Sequence, residues 1–208
     1  MKHLHWLLPA LGCLILGGCG LSRQGPVSPE RAAADRVEEL DGTVEKDSAG
    51  TVVAVRFVRT HVADADLACL ENLPELRELD LYHTNVTDAG LPHLQGLRQL
   101  RGLDLQHTGV TDTGIHCLEG LLQLQELDLK DTVVTDAGFD HLKGLTQLRW
   151  LYLSGTRTTP QGIAKLQQAL PDCHIYHDET SENRGRGAGG DSGTSDDSGT
   201  GHSHRNGR

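Results

Sequence analysis

Three times the chain writes nearly the same 22 residues. LDLYHTNVTDAGLPHLQGLRQL begins at Leu79, LDLQHTGVTDTGIHCLEGLLQL at Leu103 and LDLKDTVVTDAGFDHLKGLTQL at Leu127, a step of 24 residues. Strand-like centres at Val55, Leu79, Leu103, Leu127, Leu151 and Ile175 keep that step. Within one unit, Leu79 and Leu81 alternate with Asp80 and Tyr82, the period of a short strand. Leu91, Leu94, Leu97 and Leu100 then recur every three residues, a spacing that suits an α- or 3₁₀-helical turn. A strand and a helical return repeated at this period predict an α/β solenoid, with a parallel sheet on one face and short helices on the other.

Repetition has an energetic reason. The seven apolar side chains of one unit bury too little surface to offset the ordering of its backbone. Stacking covers both sides of each layer, so the array folds where the unit cannot. Aromatic residues make up only 3% of the chain, which leaves leucine to fill the layers.

The pattern LxxLxLxxTxVTDAGLxHLxxLxxL resembles the bacterial branch of the leucine-rich repeat family over residues 55–177. The resemblance implies a curved solenoid whose concave sheet binds a partner. It also implies that Thr60, Thr84, Thr108, Thr132 and Thr156, standing where most such repeats have asparagine, bond loop backbone between layers. The first unit departs from the pattern at Ala63, Ala65 and Asp66, the last at Thr158, Pro160 and Ala169.

The flanks read differently. MKHLHWLLPALGCLILGGCG has the layout of a secretory signal peptide, with an apolar run too short and glycine-broken to span a bilayer. Leu16-Gly17-Gly18-Cys19 resembles a bacterial lipobox, which implies a signal over 1–18 and lipidation of Cys19. An ordinary cleaved signal and an uncleaved anchor are the alternatives. Residues 19–28 form a tether. Ser28-Pro29-Glu30 then reads as a helix start. Ala33, Val37 and Leu40 give that helix one apolar stripe, and valine-rich arms around Asp47–Gly50 predict a hairpin. Helix and hairpin, 29–54, are expected to cap the solenoid. Residues 178–208 are too polar to bury a core and are expected to be disordered.

A net charge of −10 excludes the basic footprint of a nucleic-acid binder. Cys69, Cys117 and Cys173 remain after Cys13 and Cys19, an odd set without short paired spacing, and are expected as buried hydrophobes. No catalytic signature such as G-x-S-x-G, H-E-x-x-H or a P-loop occurs.

Columns obtained by adding 24 supply the candidate sites. Thr87-Asp88, Thr111-Asp112 and Thr135-Asp136 are expected to cap helical turns rather than bind calcium. Cys69, His93, Cys117 and His141 lie one per layer, too far apart for zinc, and are assigned structural roles. His83 and His107 are adjacent-layer neighbours at the strand exit, and His202 and His204 stand in the tail. No metal or cofactor is expected. The outward strand positions are assigned to the partner: Glu78, Asp80, Tyr82, Asp104, Gln106, Glu126, Asp128, Lys130, Trp150 and Tyr152. Asp80, Asp104 and Asp128 would stand in line, repelling one another unless a basic partner or water relieves them.

These readings converge on a monomeric, non-catalytic binding module. It is exported to the cell envelope and lipid-anchored to a membrane, the outer one preferred, with a protein or glycan partner on its concave face. The alternatives are a self-associating envelope component and a carboxylate-based polysaccharide enzyme.

Overall fold

A computed structural model describes residues 27–178. The signal over 1–18, Cys19, most of the tether, His202, His204 and nearly all of the tail lie outside the described residues. Among those described, no helix is long and apolar enough to cross a membrane.

Helix α1 (Pro29–Glu39) starts where Ser28 accepts the Arg31 N–H and Pro29 occupies the first turn. Its Ala33, Ala34 and Val37 are buried. The hairpin follows as β1 (Thr43–Lys46) and β2 (Val52–Arg56). Then come β3 (Glu78–Asp80), β4 (Gly102–Asp104), β5 (Glu126–Asp128), β6 (Trp150–Tyr152) and β7 (His174–Tyr176). The sheet order is β1 to β7 in sequence; β1 is antiparallel to β2 and every later pair is parallel. β2 therefore belongs to hairpin and parallel sheet at once, so a boundary between residues 54 and 55 runs through a strand.

The registers carry Val55, Leu79, Leu103, Leu127, Leu151 and Ile175 across the sheet in one row. Behind that row the returns are short. They are 3₁₀ turns at Asp64–Asn72, Leu91–Leu94, His116–Leu118 and Asp136–Gly138, with α2 (Asp112–Ile115), α3 (Phe139–Leu142) and the longer α4 (Pro160–Ala169). Leu91, Leu94, Leu97 and Leu100 are fully buried, as are their counterparts one layer on, Ile115, Leu118, Leu121 and Leu124. All belong to one continuous core.

The T-D-x-G run turns out to couple layers rather than only to cap turns. Asp88 Oδ1 accepts the Thr111 N–H at 2.7 Å and its Oδ2 accepts the Thr111 hydroxyl at 2.5 Å. Asp64 holds Thr87, Asp112 holds Thr135 and Asp136 holds Thr159 in the same two-point way. The threonine hydroxyl still caps its own turn, accepting from Thr113 N in one layer and Ala137 N in the next. The glycine leaves room for the aspartate below: a Cβ on Gly114 would overlap Asp88 Oδ1, and one on Gly138 would approach Asp112 Oδ1.

The other threonine column acts differently from what the resemblance implied. Thr84, Thr108 and Thr132 are buried, and each hydroxyl donates to the carbonyl three residues earlier in its own layer, Leu81, Leu105 and Leu129. They brace the turn leaving the strand rather than bridging layers. That turn needs left-handed backbone at Arg59, His83, His107, Asp131 and Gly155, with φ of 57°, 55°, 56°, 56° and 74°. Asp and Gly in a column otherwise holding Arg and His follow from that conformation.

Candidate functional site

Strands β3 to β6 are each three residues long, with the central leucine inward and the two flanking residues on the open face. The registers align Glu78, Gly102, Glu126 and Trp150 in one row and Asp80, Asp104, Asp128 and Tyr152 in another. Gly102 leaves a gap in the first row. A groove of about 470 Å³ runs across the strands there. Glu78, Asp80, Asp104, Glu126, Asp128 and Trp150 line it, together with Arg56, Arg101 and Arg149. Of the positions assigned from sequence, Tyr82, Gln106, Lys130 and Tyr152 are outside this lining.

The aspartate row is held in place by its own backbone. Asp80, Asp104 and Asp128 each accept the N–H two residues on, from Tyr82, Gln106 and Lys130, at 2.8–2.9 Å. Asp128 is buried and pairs with Lys130 Nζ at 2.8 Å. Lys130 in turn lies over the Tyr152 ring, and the Asp128 bond raises its pKa. Asp104, in the middle, makes no such ion pair, and Lys130 only weakly offsets its charge from a distance. Desolvation pushes its carboxyl up to about 6, reinforced by the neighbouring charges of Asp128 and Asp80 and opposed by the Gln106 N–H. Glu78 has a partner at the end of its row, Arg56, which also binds Glu45.

Sequence reading missed the arginines. Arg77, Arg101 and Arg149 stand one residue before their strands in the same column, with Gln125 in the fourth place. Their step of 24 was the available signal. Arg101 and Arg149 bring guanidinium groups to the groove, so its lining is mixed in charge rather than acidic.

At the far end of the sheet the aromatics are half covered. Trp150 stacks on His174 with centroids 4.7 Å apart and keeps 38% of its surface exposed; Tyr152 stacks on Tyr176 at 5.0 Å. Near the strand exits, His83 and His107 meet edge to face at 5.7 Å with Tyr82 beside both, and His107 Nε2 lies 3.3 Å from Asp131 Oδ2.

On the helical face, Cys69, His93, Cys117 and His141 do not converge. His93 bonds Glu71, and His141 bonds Glu119. The structure instead groups His116, Glu119 and His141, whose ligand atoms lie within 4.8 Å of one another. Hydrogen bonding from His141 holds the Glu119 carboxyl below the usual range, desolvation opposing. Burial raises the Cys69 thiol and pushes Cys173 to about 11, which keeps both as thiols at neutral pH.

Residues 98–157 match the leucine-rich repeat family, and the fold is a leucine-rich repeat solenoid. Similar solved structures include the PEPR1–AtPEP1 complex (21% identity, TM-score 0.44, 64% of this chain and 19% of that one). A leucine-rich repeat protein of Leptospira interrogans shares 23% identity (TM-score 0.43, 52% and 27%). Internalin C2 of Listeria monocytogenes shares 18% (TM-score 0.41, 74% and 88%). The chain thus spans under a third of the first two. No curated protein matches it.

Proposed function

We propose that the chain is a non-catalytic binding module, tethered to a membrane through a lipid on Cys19, that takes a protein partner on the concave sheet. The observation that carries this reading is the groove. It presents carboxylates, three arginines and a half-exposed indole on a surface whose backbone is fixed by the sheet. Buried aromatic and arginine side chains dominate protein interfaces, because they combine large contact area with directional polar groups. Asp104 adds a carboxyl whose charge is poorly compensated within the molecule, so a donor from a partner would relieve it.

The test is affinity capture from envelope extract with the full chain, followed by titration of the captured protein. Trp150→Ala and Arg101→Glu should each weaken binding roughly tenfold or more. A substitution on the helical face, Gln95→Ala, should leave affinity unchanged. Equal affinity for all three variants would remove the concave face from the reading. Recovery of the mature chain without lipid on Cys19 would remove the tether but leave the binding face standing.

A further inference from the structure

The helical face carries a cluster that the concave reading does not use. His116 and Glu119 stand three residues apart on the turn that closes one layer, and His141 reaches them from the next. His141 Nδ1 lies 2.5 Å and His116 Nδ1 3.5 Å from the same oxygen, Glu119 Oε1. The two imidazole rings meet edge to face with centroids 5.3 Å apart. We propose that His116, Glu119 and His141 form a binding site for one divalent transition-metal ion of the zinc class.

The donor set fits that ion. Two imidazoles and one carboxylate are the borderline ligands zinc takes, with the fourth position left to water. Ligands about 2.0–2.2 Å from a tetrahedral centre stand roughly 3.3–3.6 Å from one another. The His116–Glu119 separation already has that value. Side-chain motion must open the His141–Glu119 pair and bring the His116–His141 pair, whose ligand atoms lie within 4.8 Å, to the same spacing; the three side chains are 62%, 50% and 34% exposed. The backbone beneath them is held by buried Leu118 and Leu142, so the ligands start from fixed layers.

The repeat supplies an internal control. Two layers earlier the same contact recurs, with His93 Nδ1 2.5 Å from Glu71 Oε1. There the position equivalent to His116 is Ala68. A histidine–carboxylate bridge between layers thus needs two residues, and His116 adds a third donor that such a bridge does not require. Glu71–His93 is the bridge alone; the His116 cluster is the bridge with a ligand set completed around it.

The experiment is calorimetric titration of Zn²⁺ alone into the full chain carrying His202→Ala and His204→Ala, so that tail histidines add no heat. One ion per chain is expected. His116→Ala and His141→Ala should each weaken binding at least roughly tenfold, and Glu119→Gln should do likewise while keeping a similar shape. His93→Ala should leave affinity unchanged. Co²⁺ should give the intense visible bands of a low-coordinate site, abolished in the His116→Ala chain. His116 is the most exposed of the three, so its variant stays folded, which far-ultraviolet dichroism checks. Absence of Zn²⁺ binding, parental affinity in His116→Ala or in Glu119→Gln, or equal weakening by His93→Ala overturns the site.

Discussion

The first and last layers of the stack break the repeat at opposite halves of the same motif. In the first, Ala63 replaces the threonine and Asp66 the glycine, while Asp64 remains and holds Thr87. In the last, Thr159 remains and is held by Asp136, Gly162 still leaves room for that carboxylate, and Pro160 replaces the aspartate. Each end lacks the half that would face a layer not found among the described residues. The threonine and glycine serve the layer before, the aspartate the layer after. At the first layer the freed space is used: Asp66 accepts the Ala63 N–H and pairs with Arg36 of α1 at 3.1 Å. At the last, Pro160 fits the first turn of α4, where its missing N–H costs nothing.

If the ladder couples layers, an interior aspartate of the T-D-x-G run and the aspartate that replaces its glycine in the first layer must respond unequally. Asp112→Ala removes two charge-assisted bonds and strands the Thr135 N–H, so urea unfolding should show a loss of about 3 kcal/mol, against about 1 for Asp66→Ala at the end. Equal losses would break the distinction. Gly114→Ala drives a methyl into Asp88 and Leu91 and should cost about 2 kcal/mol by the same measurement. The terminal member of that column already tolerates the bulkier Asp66.

The aspartate row sharpens the contrast on the open face. Asp104 has an aspartate on each side, whereas Glu78 ends its row against Arg56. With a folded pKa near 6 and an unfolded value near 3.9, the folded state binds the extra proton between them. Stability therefore falls as pH rises from 4 to 6. Asp104→Asn should match the parent at pH 4 and exceed it by about 1 kcal/mol at pH 7, after allowance for solvent screening, in thermal melts at both pH values. The smallest effect belongs to the end: Pro160→Asp should stay within about 0.5 kcal/mol of the parent, since no described layer follows to be held.

The layers themselves were legible because burial imposes its period on leucine wherever a strand and a return repeat. What sequence could not supply was which layer's atoms meet. A column shows that Thr111 and Asp112 recur, but not that Asp88 reaches Thr111 while Asp112 reaches Thr135. The irregular ends held that information: Ala63 and Pro160 are informative because they omit opposite halves. Thr84 was misassigned because a buried hydroxyl can satisfy itself within its layer as readily as across it. The histidine cluster escaped because its members lie 3 and 22 residues apart. They occupy three different columns, so stepping by one period cannot align them. Arg101 and Arg149 escaped because they stand one residue before the strand, outside the alternation that marks its open face.

The sheet has two unlike borders. At β1 the strand direction reverses, so the rule that generates each layer from the last is interrupted there. At β7 the direction is kept, and Tyr176 stays 47% exposed on a strand with one paired neighbour among the described residues. In the language of polymerisation, the described sheet has a stopper at one border and a growing end at the other. Any further strand that joins this sheet in parallel, whether from its own chain or another, has its template at His174–Tyr176.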